Sequence, residues 1–173
     1  MRRLVLAITT LLFVGCSAVS SIPAHLQPVK SAIQQSGGPF SASFMGHFRL
    51  GVCSPPDGQG RFTFEGFGSG SFIHGATESG AMNGNVFTGC PWTGSAKLQS
   101  TRRTQNSITM SLSLERPTLG SNNPCNPGSQ RHVMFTISGG TGRFANATGS
   151  GTVAFTCHSD GSFTDAWSGT ISF

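Results

Sequence analysis

The chain has 173 residues, with 11 Lys plus Arg against 6 Asp plus Glu, 24 Gly, 14 Phe and no Tyr, a composition of one-domain size. Charged residues are only 10% of it, yet 36% hydrophobic residues supply enough core material to exclude a disordered chain. No nucleotide-binding loop, zinc-ligand spacing or protease triad occurs, and the arginines from Arg49 onward are scattered, with only Arg102 and Arg103 adjacent, and form no stripe for nucleic acid.

Met1-Arg2-Arg3 followed by the uncharged run Leu4 to Gly15 reads as a signal peptide over 1–15. The run is too short for a permanent membrane helix, which takes about 20 apolar residues. Phe13-Val14-Gly15-Cys16 resembles the lipobox of bacterial lipoproteins, so Cys16 is the expected site of lipidation and the membrane anchor. The alternative is ordinary cleavage after Ala18 or Ser20 and a secreted or periplasmic soluble protein. Loss of Arg2 and Arg3 takes the formal net charge from +5 to +3. Residues 16–41, rich in Ser, Pro and Gln, read as a tether, and 42–173 as the folded domain.

From Ser43 onward apolar residues alternate with polar ones and are interrupted by Gly, Ser, Asn or Pro, which predicts an all-β domain. Phe44, Gly46, Phe48, Leu50 and Val52 share one face of a first strand, with Met45, His47 and Arg49 on the other. Arg61 to Ala76 reads as one long strand bent at Gly66-Phe67-Gly68-Ser69-Gly70, the alternative being a hairpin at the glycines. Further strands are expected at Ala81 to Thr88, Thr93 to Arg102, Ser107 to Glu115, Arg131 to Ser138, Ser150 to Thr156 and Ser162 to Phe173. Between them, Arg116 to Gln130 is the longest connection.

Once Cys16 is removed or acylated, Cys53, Cys90, Cys125 and Cys157 form an even set, so two disulfides are expected in an exported protein. With one bent strand the count is eight, and an up-and-down order carries all four cysteines to one end, within bridging reach. A nine-strand count would strand Cys53 at the opposite end. Eight antiparallel strands can close on themselves and abolish their edges, so an up-and-down β-barrel is preferred over a β-sandwich. Pairing sequential connections joins Cys53 to Cys90 and Cys125 to Cys157, one of three connectivities.

Gly139-Gly140-Thr141-Gly142-Arg143-Phe144-Ala145-Asn146-Ala147-Thr148-Gly149 resembles the Gly-rich turn of allene-oxide-cyclase-like and dirigent-like barrels, and of small exported bacterial proteins similar to them. Gly68-Ser69-Gly70-Ser71-Phe72 echoes that turn, and Met45-Gly46-His47-Phe48 resembles the opening strand with its histidine displaced. The resemblance implies an antiparallel barrel, often oligomeric, whose lumen can guide reactive small molecules. It transfers no catalytic residue. Physically, the glycines suit a tight turn with close backbone approach, and Phe144 is expected to plug one barrel end.

His47, His74, His132 and His158 with Glu65, Glu78, Asp160 and Asp165 are the domain's acid-base groups, and none has metal-ligand spacing, so neither metal nor cofactor is expected. Glu65, His74 and Glu78 are the catalytic candidates, because a bend in their strand could turn them inward, where desolvation shifts a pKa; the bland reading puts them on the surface or in turns. Trp92, beside Cys90, with His47 and Arg49, is a candidate for a ligand mouth, though a Trp there equally suits a cap over the core. The sequon Asn146-Ala147-Thr148 reads as incidental in a tight turn. The functional expectation is a non-catalytic exported barrel binding a small apolar ligand or a partner protein. The alternatives are an isomerase or cyclase using the lumen, and a structural envelope protein.

Overall fold

The computed structural model describes residues 36–54, 59–85, 92–114 and 127–173. Eight strands run β1 (Gly37–Ser54), β2 (Gln59–Gly70), β3 (Ala76–Asn85), β4 (Trp92–Ser100), β5 (Ser107–Leu114), β6 (Gln130–Thr141), β7 (Thr148–Cys157) and β8 (Ser162–Ser172). Each pairs antiparallel with the next, and β1 pairs with β8 to close the barrel. β1 is long enough to serve two partners: Gly37 to His47 pairs with β8, while Ala42 to Ser54 pairs with β2. Closure leaves no strand edge to be capped.

Period-2 alternation decides which side chains enter the barrel. Phe40, Ala42 and Phe44 of β1, Phe62 and Phe64 of β2, Val133, Phe135 and Ile137 of β6, and Phe163 and Trp167 of β8 are all buried. Their rings fill the interior: Phe155 stacks on Phe163 with centroids 4.6 Å apart, and Phe135 lies 5.2 Å from Trp167. The abundance of glycine is the counterpart of the abundance of phenylalanine. A Cβ on Gly80 would come within 2.3 Å of the Phe64 ring, and one on Gly151 within 2.8 Å of Phe135. Bare backbone on one strand therefore makes room for a ring from its neighbour.

The Gly-rich turn after β6 forms a single 3-10 turn, Gly142–Phe144, and buries Phe144 at the barrel end, where its ring lies 4.8 Å from Phe173. Gly142 has φ +61, and a Cβ there would lie 2.1 Å from Asn106 Oδ1. Only glycine fits both conditions.

The strand expected over Arg61 to Ala76 is corrected. β2 ends at Gly70, residues 71–75 turn the chain, and Ala76 opens β3. The count stays at eight because the segment around Glu78 belongs to β3 and is no turn. Gly37 to Ser41, expected in the tether, begin β1 instead. Cys16, Cys90 and Cys125, together with the rest of the signal peptide and tether up to residue 35, lie outside the described residues, as does the side chain of Cys53. Cys157 closes β7 fully buried and is disulfide-bonded.

Candidate functional site

Outward side chains of β1, β2, β3 and β8 surround an open, mostly apolar groove of about 790 Å3. β1 contributes Met45 and His47, β2 Glu65 and Phe67, β3 Thr77 and Ser79, β8 Ser162 and Thr164, and the β7–β8 turn His158. Register explains the gathering. Met45 stands opposite Phe67 and His47 opposite Glu65 on β1 and β2, and Phe67 in turn stands opposite Thr77 of β3. Met45 is 54% exposed and Phe67 64%, so two large apolar side chains adjoin each other in water. Beside them Gly46 and Gly66 face each other across the same strands, so close that a Cβ on Gly46 would lie 2.0 Å from the Glu65 carbonyl oxygen.

Behind the groove lies Glu78. It borders both the groove and a small interior cavity of about 20 Å3, yet is only 1% exposed. Plain alternation carries it inward with Ala76 and Met82, and no bulge is involved. The cavity is otherwise lined by apolar side chains such as Phe62, Leu112 and Trp167, with Arg131 reaching in from β6 and making interactions of its own.

Asp165 of β8, flanked by inward Phe163 and Trp167, is the second buried carboxyl. Its Oδ1 accepts the Phe44 backbone N–H at 3.0 Å. Its Oδ2, both Glu78 carboxyl oxygens and Trp167 Nε1 are buried without a hydrogen-bond partner among the described residues. Burial pushes Glu78 well above the ordinary glutamate range, and the neighbouring Asp165 charge adds to the rise. Burial also pushes Asp165 up to about 6, a rise held down by interactions with Glu78, Trp167 and the Phe44 N–H. Burial of two carboxyls in one apolar interior thus disfavours charge on both at once, and the Phe44 N–H favours the charged form of Asp165.

Two carboxyls with separated proton affinities suit acid-base chemistry in principle. The space on their interior side does not. A cavity of about 20 Å3 accommodates little more than one water-sized group. Buried aromatic and aliphatic side chains pack around it.

The sequence candidates divide accordingly. Glu78 is inward, whereas Glu65 and His74 are exposed, so the three do not form one catalytic group. Glu65 instead joins His47 in the groove. Arg49 is exposed on the same outer face and shares a separate depression with His47. Trp92 is 1% exposed and packs over the backbone of Gly84, which makes it part of the core and no ligand mouth. Asp165, Met45 and Phe67 were not singled out from sequence as site residues. The signals were present: an acid at an inward position between Phe163 and Trp167, and two large apolar residues at outward positions. Among the described residues no three His, Cys, Asp or Glu side chains gather closely enough to hold a metal ion.

Compared with known proteins, the chain matches no family model, no curated protein and no solved structure.

Proposed function

We propose that the protein is a non-catalytic exported binding protein that takes up a small, largely apolar molecule on its outer β8–β1–β2–β3 face, and not in its lumen. The observation that carries this reading is the exposed Met45–Phe67 cross-strand pair beside a groove of about 790 Å3. That volume falls within the roughly 300–1,000 Å3 of small-molecule sites. Two apolar side chains left in water become favourable once a ligand covers them, by about 1.5–3 kcal/mol for each side chain fully buried. His47, His158, Thr77 and Ser79 supply hydrogen-bonding groups at the margins to orient a polar end of the ligand. A partner protein is the weaker occupant, since a stable interface covers about 800 Å2 on each side and only two large apolar residues are offered here.

Export and acylation at Cys16 belong to the same proposal and rest on the segment Met1 to Cys16. So does kinship with the allene-oxide-cyclase-like and dirigent-like barrels, supported by the Gly139 to Gly149 turn and the eight-strand barrel. The filled interior argues against an isomerase or cyclase working in the lumen.

Titration of the full chain with the neutral apolar fluorophore N-phenyl-1-naphthylamine tests the reading. A saturable rise in emission is expected, with affinity lowered roughly tenfold or more by Phe67→Ser or Met45→Ser, as loss of one apolar contact of this size implies. Met134→Ser, at an exposed position on β6, should leave it unchanged. Binding that survives both groove substitutions would contradict the proposal.

A further inference from the structure

A second site, independent of the groove, is suggested by the barrel end formed by residues 71–75, 101–106 and 142–147. There a cavity of about 280 Å3 brings together Arg102 and Arg103 from the β4–β5 turn, Arg143 from the β6–β7 turn and His74 from the β2–β3 turn. No carboxylate lines it, and none of these three connections contains Asp or Glu. The described acids lie elsewhere: Glu65 and Glu78 within β2 and β3, Asp165 within β8, and Asp160 in the turn at the opposite barrel end. Like charges gathered with no Asp or Glu side chain among the lining residues repel one another, and an anion relieves that repulsion.

The framework is already held. Arg143 donates from its guanidinium to the Phe72 carbonyl oxygen and lies 4.6 Å over the Phe144 ring. Its backbone N–H donates to Asn106 Oδ1 at 3.3 Å. The turn carrying the other two arginines is pinned by Arg103 N–H to Ser100 Oγ at 3.2 Å and by Asn106 N–H to the Arg103 carbonyl at 2.8 Å. Backbone and Arg143 are thus positioned before any ligand arrives, while the Arg102 and Arg103 side chains stay exposed at the rim.

We infer that this end of the barrel binds a phosphoryl group. Guanidinium forks approaching from separate connections suit an oxyanion that accepts hydrogen bonds on several oxygens at once, and the volume admits a phosphate with a small substituent. The phosphoryl group could belong to a soluble phosphate ester or to a lipid headgroup, two sources of one chemistry that experiment separates.

Arg102→Gln/Arg103→Gln removes two of the cations without touching the bonds that hold the turn, so circular dichroism should report an unchanged fold. The full chain and this variant are compared by calorimetric titration with inorganic pyrophosphate and by co-sedimentation with phosphatidylglycerol-containing or pure phosphatidylcholine vesicles. Pyrophosphate binding that the variant weakens roughly tenfold or more supports the site with a soluble ligand. Binding to phosphatidylglycerol vesicles alone, lost in the variant, supports it with a lipid headgroup. Absence of both, or binding indifferent to the substitutions, overturns it.

Discussion

Glu78 of β3 and Asp165 of β8 share the apolar interior of the barrel as two interacting carboxyls, of which, among the described residues, only the Asp165 carboxyl has a backbone N–H partner. That asymmetry favours the charged form of Asp165.

It also sets the sign of the pH dependence. Folded Asp165 titrates at about 6 against an ordinary 3.8, so the folded chain holds this proton more tightly than the unfolded chain. The associated stability is fully present below about pH 4 and is lost as pH rises through about 6, by on the order of 3 kcal/mol. Glu78, raised in the same direction, adds a loss of the same sign as pH rises. Asp160 acts oppositely and only in acid, since its bonds from Ser162 hold it below the ordinary range. Urea unfolding between about pH 4 and pH 8 should show a falling free energy, and Asp165→Asn should flatten it. A flat profile for the parent chain would contradict this reading of the pair.

The same pair is a source of instability at neutral pH, because carboxyl oxygens without a hydrogen-bond partner among the described residues sit among Phe62, Met82 and Trp167. Glu78→Leu combined with Asp165→Asn keeps an acceptor for the Phe44 N–H and removes both titrating groups. The double variant should gain about 1–3 kcal/mol at pH 7. Thermal unfolding measures it, and a marked loss would mean that the carboxyls are better satisfied than the geometry indicates.

Gly142→Ala tests the turn after β6. The substitution places a side chain at φ +61 and sets its Cβ against Asn106 Oδ1, so a loss of about 1–3 kcal/mol is expected. A melting temperature unchanged from the parent would show that the turn relaxes freely.

The barrel itself was legible in the sequence because alternation of apolar residues persists through each strand and turn residues separate the strands. Phe44, Phe62, Phe64, Ile108, Leu112 and Phe163 all sit where alternation puts them. The break near Gly66 was misread because glycine signals both a bend and a turn; the turn falls at 71–75, where Phe72 and Ile73 look like strand residues in the chain. Glu78 was a candidate for the wrong reason. Its inward position follows from the register of β3, which the misplaced turn had hidden. The groove was not legible, since it depends on outward residues from four strands, and only closure of β1 onto β8 brings Thr164 beside Met45. For Trp92 the sequence leaves a mouth and a cap over the core both open, because a large aromatic beside a cysteine suits either until Gly84 is seen beneath it.

The central claim, an outer groove in place of a lumen, is tested most directly by methyl spectra of the chain labelled at its methionines. Met45 borders the groove, Met82 borders the interior cavity, and Met134 is exposed on another strand. Addition of N-phenyl-1-naphthylamine should shift the Met45 resonance and leave those of Met82 and Met134 in place. A shift confined to Met82, or no shift at Met45 at saturating probe, would contradict the account.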